Sequence, residues 1–289
     1  MKKKVIIVTQ TGSDLPLDEA ASLGILIIPD IVRFGTVEFE DRVNLSAVDF
    51  YSRMAESSEL PTSSHSSVGA YVKAYRQAKE MGAEEIICMT VTSRMSGSYD
   101  TALAAAKTFG RRNSEISVTV YDSEQCSHGM ALQLRRAARL VSEGLDSAAI
   151  IEELDRFKGN IGFCFMLDSL KNARKGGRVG AIKALAADTM GIKPLLHFSH
   201  GVCEDYGIAV DSRSGMRKLA ERFAGEVDPE YTATLFHAGS PEKAGMLRAE
   251  IDKLDVRVKI TEAYVGPVIG IYCGEGAVGL AYIKKAEKR

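Results

Sequence analysis

The first half of the chain alternates between short apolar runs and stretches with helical spacing. Val5–Val8 forms a continuous apolar run, and a polar turn follows it. The stretch "LPLDEAASLG" then predicts a short helix closed by Gly24. "ILIIPDIVRF" is a further apolar run. In "NLSAVDFYSRMAES", Ser46 and Asp49 stand at capping-box spacing before an amphipathic helix. Val68, Tyr71, Val72 and Tyr75 recur at helical spacing. After them "EIICMTV" predicts a strand, "SGSYDTALAAAKTF" a helix, "ISVTVYD" a strand and "QCSHGMALQLRRAARLV" a long helix. Strand, loop and helix in repetition predict crossover units and a mainly parallel sheet.

Past "LDSAAIIEELDRFKGN" the pattern changes. "IGFCFML" reads as a strand, and "LLHFSHGVCEDYGIAV" as two strands joined by a turn at Ser199, His200 and Gly201. Helix, strand, helix and strand follow. "GPVIGIYCGEGAVGLAYI" closes the chain as two apolar segments around a glycine-rich turn. The fold class expected is α/β in two domains. Residues 1–159 would form an α/β/α domain with a mainly parallel sheet, and 160–289 a smaller mixed α/β domain. The cleft between two such domains is the ordinary place for a ligand.

Composition narrows the function. At 289 residues, with 45% hydrophobic and 26% charged residues, the chain has the balance of a soluble globular protein. Its formal net charge of −1 argues against binding to nucleic acid. No apolar run approaches the roughly 18 residues that would span a bilayer, and the first residues lack a signal-peptide core, so a cytoplasmic location is expected. The five cysteines are scattered and share no context, which argues against disulfides and against a metal site.

Two hydroxyl-rich loops carry the candidate chemistry. "PTSSHSS", Pro61–Ser67, places five hydroxyls before a helix that would start near Ser66 or Ser67. "VTSRMSGSYD" follows a strand and precedes a helix that would start near Gly97. Capping explains one or two such hydroxyls. Neutral donors at a helix N-terminus also receive anions, and the carboxyl ends of parallel strands are where open α/β sheets bind ligands. In "DSEQCSHGM", Cys126 and His128 are spaced wrongly for a catalytic pair, and capping by Ser123 or Asp122 is expected. "NARKGGRVG" is basic and glycine-rich without being a Walker loop. It reads either as a solvated turn or as a docking surface for a phosphate or an acidic partner.

Seven stretches in order resemble the DegV family of bacterial fatty-acid-binding proteins. "QTGSDLP" is similar to that family's D-S-T-S-D-L-P, and "PTSSHSS" to P-T-T-S-Q-P-S. "TSRMSGSY" is similar to S-S-x-L-S-G-T-Y, and "YDSEQCSHGM" to D-S-x-x-x-S-x-G. "LDSLKNARKGGRVG" and "GIKPLL" resemble L-x-x-L-x-K-G-G-R-I and K-P-I-L. The tail resembles G-P-V-I-G-x-H-x-G-P-G-A-x-G. The resemblance implies a carrier rather than an enzyme, with no cofactor. It would hold one long-chain fatty acid in an apolar tunnel, with the carboxylate at the domain junction. A separate ATP-dependent fatty acid kinase would phosphorylate the bound acid, and the carrier would deliver acyl-phosphate to phospholipid synthesis, with transient contact at a membrane surface.

Carried over by position, Ser63, Ser96 and Arg178 would contact the carboxylate, with Tyr272 where the family has histidine. Thr62, Ser64 and Gly97 would flank it, and Arg174 and Lys175 would dock the kinase. The chain departs from the family pattern at Gln10, Thr11 and Gly12, at His65 and Ser66, and at Tyr272. For Tyr272 the other reading is a ring packed in the core of the last strand. The other function considered is an enzyme acting on a small phosphorylated or carboxylated substrate.

Overall fold

A computed structural model describes residues 4–178 and 191–286. The stretch 179–190, which includes most of "KALAADTMG", lies outside the described residues.

Strand β1 (Val5–Gln10) is buried along its whole length. It pairs in parallel with β2 (Leu26–Ile28) and β6 (Glu85–Thr90), and β6 pairs in parallel with β7 (Ser117–Asp122), giving the order β2-β1-β6-β7. One face, through Ile6, Val8, Ile86 and Cys88, packs on α3 (Val68–Glu80) and α4 (Ser98–Gly110). Tyr71, Tyr75 and Phe109 fill that layer. Helices α5 (Ser127–Glu143) and α6 (Ser147–Lys158) meet β1 and β6 as well. The Glu85 carboxylate accepts the Ser147 backbone N–H at 2.8 Å, which satisfies a free donor at the start of α6. Helix α1 (Leu17–Ser22) makes the first crossover, and Gly24 ends it in the left-handed conformation at φ 68°.

The second sheet has six strands in the order β10-β9-β8-β13-β11-β12. These are β8 (Ile161–Met166), β9 (Lys193–Ser199), β10 (Val202–Ala209), β11 (Ala233–His237), β12 (Ile260–Tyr264) and β13 (Val278–Ile283). All pairs are antiparallel except β11 with β12. Cys164, Met166, Leu235, Leu280 and Tyr282 face α8 (Ser212–Glu226) and α9 (Pro241–Ile251), from which Met216, Phe223 and Leu247 complete a core. A small third sheet has the order β4-β3-β5, from Val37–Glu40, Ile31–Phe34 and Thr62–Ser64.

Packing separates two units. One runs to Ile31 and resumes at Ser64–Gly159; the other joins Val32–Ser63 to the residues from Asn160 onward. A division into 1–159 and 160–289 therefore needs correction for residues 32–63. Helix α2 (Ala47–Glu56), capped by the Ser46 side chain on the Asp49 N–H as its sequence predicts, explains why. The Tyr51 hydroxyl donates to the Val265 carbonyl at 3.0 Å. Its ring lies where a Cβ on Gly239 or Gly270 would have to be, 2.7 Å from its Cγ or 2.6 Å from its hydroxyl. These contacts span more than 180 positions of sequence, so local periodicity does not reveal them.

Two local expectations also change. The last apolar pair is a helix, α10 (Pro267–Cys273), followed by β13. Pro267 at its first position and Gly274 after its end are the signals for it. Ser123 and Asp122 do not cap α5. Ser123 Oγ donates to the Gln125 carbonyl, and Asp122 accepts from the Ser93 and Glu124 N–H groups. At the start of α5, Ser127 Oγ donates to buried Asp14 at 2.5 Å.

Candidate functional site

The hydroxyl run is divided among several tasks. Ser67 accepts from the Ala70 N–H and caps α3. Ser66 is buried. Its Oγ donates to the Pro29 carbonyl and its N–H donates to Asp30 at 3.2 Å. Asp30 also accepts from Gln10 Nε2 and the Gly12 N–H, so the end of the run is moored to β1 and the turn after it. His65 is exposed, and its Nε2 lies 3.0 Å from Thr101 Oγ1. Thr62, exposed, and Ser63 and Ser64, half-buried, form strand β5 rather than a loop.

Within the second unit three of the predicted residues meet. Ser63 Oγ and Tyr272 Oη are 2.7 Å apart, either able to donate. The Arg178 guanidinium carbon lies 5.1 Å from the centre of the Tyr272 ring, and Arg178 donates to the Gly176 carbonyl at 2.8 Å. Tyr272 sits on α10, half-buried, and not in the last strand. Its ring occupies the space that a Cβ on Gly176 would need. Gly176 has an ordinary φ of −77°, so it is the tyrosine and not the backbone that excludes a side chain there. Gly177, at φ 71°, then turns the chain toward Arg178. Read from sequence alone, these two glycines look only like flexibility.

In the first unit, Ser96 lies half-buried in the connection after β6, at the carboxyl end of the parallel sheet. Its Oγ is 2.7 Å from Ser98 Oγ and accepts the Ser98 N–H at 3.2 Å. Gly97, exposed, precedes the first residue of α4 and offers no side-chain cap.

Arg174 and Lys175 end α7 (Lys171–Lys175), Arg174 half-buried and Lys175 exposed. Beside α7 the second unit has a polar cavity of about 280 Å³, lined by Ser57, Ser58, Asp168, Lys171, Lys175 and Cys273 among others. Asp168 is held by Lys193 at 3.1 Å and Lys243 at 2.5 Å. Lys171 and Lys175, both exposed, bring positive charge to this cavity.

The same unit carries an aromatic layer. Alternation along β8 turns Phe163 and Phe165 away from the face that holds Cys164 and Met166. The Phe163 ring centre lies 5.5 Å from Phe165, 5.8 Å from Phe198 and 5.2 Å from Phe236. This face of the six-stranded sheet is the one opposite α8 and α9.

No group of three or more metal-ligating side chains occurs among the described residues, and no described helix is long and apolar enough to cross a membrane. The cysteines are free, and burial pushes the thiols of Cys88, Cys164 and Cys203 up to about 12, which keeps them protonated.

The profile of the family described as "uncharacterised protein, DegV family" matches residues 4–285. The chain belongs to the DegV family. A DegV domain-containing protein of Halalkalibacterium halodurans is 33% identical over 285 residues, covering 98% of this chain and 99% of that one. Among solved structures, a fatty-acid-binding DegV family protein from Thermus thermophilus matches at a TM-score of 0.87 and 26% identity, over 97% of this chain and 99% of its own. DegV of Bacillus subtilis, described as a fatty acid binding protein, matches at 0.85 and 25%, over 98% and 100%. The DegV fold thus accounts for the parallel sheet, the mixed sheet and the helices around them.

Proposed function

We propose that this DegV protein binds one long-chain fatty acid as a carrier and presents its carboxylate to a separate ATP-dependent kinase, which makes acyl-phosphate for phospholipid synthesis. The observation that carries the reading is the cluster of Ser63, Tyr272 and Arg178, two neutral hydroxyls and a guanidinium within one unit. The structural relatives from Thermus thermophilus and Bacillus subtilis, both described as binding fatty acid, support it. In this reading the carboxylate takes over the hydroxyls that Ser63 and Tyr272 now offer each other. Ser96, flanked by Gly97, is a further candidate donor to the carboxylate, and Thr62 and Ser64 frame Ser63. The acyl chain lies on the aromatic layer of Phe163, Phe165, Phe198 and Phe236.

The energetics suit a carrier. Burying the tail contributes about 0.8 kcal/mol per CH₂, so a sixteen-carbon acid gains on the order of 10 kcal/mol before the costs of association. A hydrogen bond to the ionised head contributes about 1.5–3 kcal/mol. The tail therefore supplies affinity and the hydroxyls supply orientation. With Arg178 occupied by the Gly176 carbonyl and the Tyr272 ring, the hydroxyls hold most of the carboxylate, which keeps it more nucleophilic toward a phosphoryl donor than a tight ion pair would.

Titration of the delipidated protein tests the reading. The sixteen-carbon acid should bind at least about tenfold more tightly than its methyl ester, which cannot carry the charge. Equal affinities would contradict a carboxylate site, and turnover of a small substrate by the chain alone would favour the enzyme reading. For the kinase, Lys175→Glu should slow phosphorylation of the bound acid while leaving its affinity unchanged, with Arg174 as the neighbouring contact. An unchanged rate would remove α7 from the docking surface.

A further inference from the structure

The exposed imidazole of His65 stands in the hydroxyl run and is used by none of the roles above. Its Nε2 is 3.0 Å from Thr101 Oγ1, in the first turn of α4. Its ring lies against Gly97, where an added Cβ would come within 3.1 Å of His65 Cε1. The Thr101 N–H donates to the Gly97 carbonyl at 3.1 Å, so the imidazole touches both ends of the same turn. Gly97 has φ −78° and ψ 5°, values open to any residue. The object that a side chain would meet is the histidine ring, which would have to give by a few tenths of an ångström, less than the Tyr272 ring at 2.4 Å from a Cβ on Gly176. On the other side of Gly97, the Ser96 side chain bonds to Ser98, and the Ser96 N–H donates to the Thr92 carbonyl at 3.2 Å. The His65 ring covers the glycine that joins this serine to α4.

We propose that His65 is a positioning residue for the head-group site, acting as a clip that fixes the Ser96–Gly97 connection through Gly97 and Thr101. The proposal deepens the fatty-acid reading and rests on Ser96 contacting the carboxylate. It also gives Gly97 a different task. Its missing side chain admits the His65 ring rather than the ligand.

The test is equilibrium titration of the full chain with a sixteen-carbon fatty acid, alongside thermal unfolding. Ser96→Ala should weaken binding about 10- to 100-fold, as loss of a bond to a charged group does. His65→Ala should weaken it about 3- to 10-fold with an unchanged midpoint of unfolding, because the ring is exposed. His65→Gln should restore most of the affinity, since its planar amide reaches Thr101 and lies flat on Gly97. Gly97→Ala should weaken binding in the wild-type background and have little further effect once His65 is alanine, the non-additivity expected of groups in contact. Wild-type affinity in His65→Ala beside a weakened Ser96→Ala would overturn the clip alone. So would an equal loss from Gly97→Ala in both backgrounds. A neutral Ser96→Ala would remove Ser96 from the head-group site and overturn the clip with it.

Discussion

A tyrosine hydroxyl 2.7 Å from a serine is an ordinary pair until the ring beneath it is considered. Tyr272 is held from two sides, by Arg178 over its face and by the bare backbone of Gly176. Its O–H can donate to a carboxylate. Tyr272→Phe should therefore weaken fatty-acid binding by about 1.5–3 kcal/mol, the worth of a hydrogen bond to an ion. Gly176→Ala should do at least as much, because its methyl group has to displace the ring and with it the bond to Ser63. Calorimetric titration of both variants checks this, and wild-type affinity in both would leave Tyr272 as packing. The candidate residues themselves were legible in the sequence, because hydroxyl-rich stretches before helices announce themselves. The reason for the paired glycines was not, since Gly176 answers to a ring about a hundred residues away.

Among the elements, the strands and helices of the first unit follow from apolar runs and caps, and Ser46 and Gly24 perform the tasks their positions predict. Helix α10 is harder to read, because "VIGIYC" mixes β-branched residues and glycine that suit a strand. Its helical form rests on Pro267 and on packing against Tyr51 and Phe50. The end of β11 holds a device with a pH dependence. His237 is buried, and its Nδ1 accepts the Ser240 N–H at 3.1 Å, which requires a neutral ring. Burial holds its pKa below the ordinary histidine value, partly offset by Glu262 3.6 Å from Nε2, and the Tyr264 ring packs against it, tilted by 60° with centres 4.3 Å apart. The folded state thus resists protonation while the unfolded chain takes up a proton near about pH 6.5. Stability from this group is complete above that pH and is lost as pH falls toward the depressed folded value. His197 is shifted in the same direction, by burial and Arg222. The unfolding midpoint should fall between pH 7.5 and 5.5, and fall less in His237→Asn, whose amide oxygen can accept from Ser240. An equal fall in the variant would exclude His237 as the cause.

At the scale of the molecule, the chain is a DegV protein of two units, with its second unit completed by a segment, Val32–Ser63, inserted in the sequence of the first. In the carrier reading the insertion matters, because Ser63 is the last residue of that segment and joins Tyr272 and Arg178 in one unit. Local pattern cannot show it, since Tyr51 and Phe50 look like any helix face until Gly239 and Gly270 make room for them. The carrier reading makes the whole molecule a fatty-acid complex as it leaves the cell, since a ligand with on the order of 10 kcal/mol of tail burial dissociates little during purification. Mass spectrometry of the organic extract from purified, never-delipidated protein measures this directly. The account predicts a long-chain fatty acid at close to one per chain, reduced in the Ser63→Ala variant. An extract without fatty acid, from protein that also fails to bind added fatty acid, would contradict it.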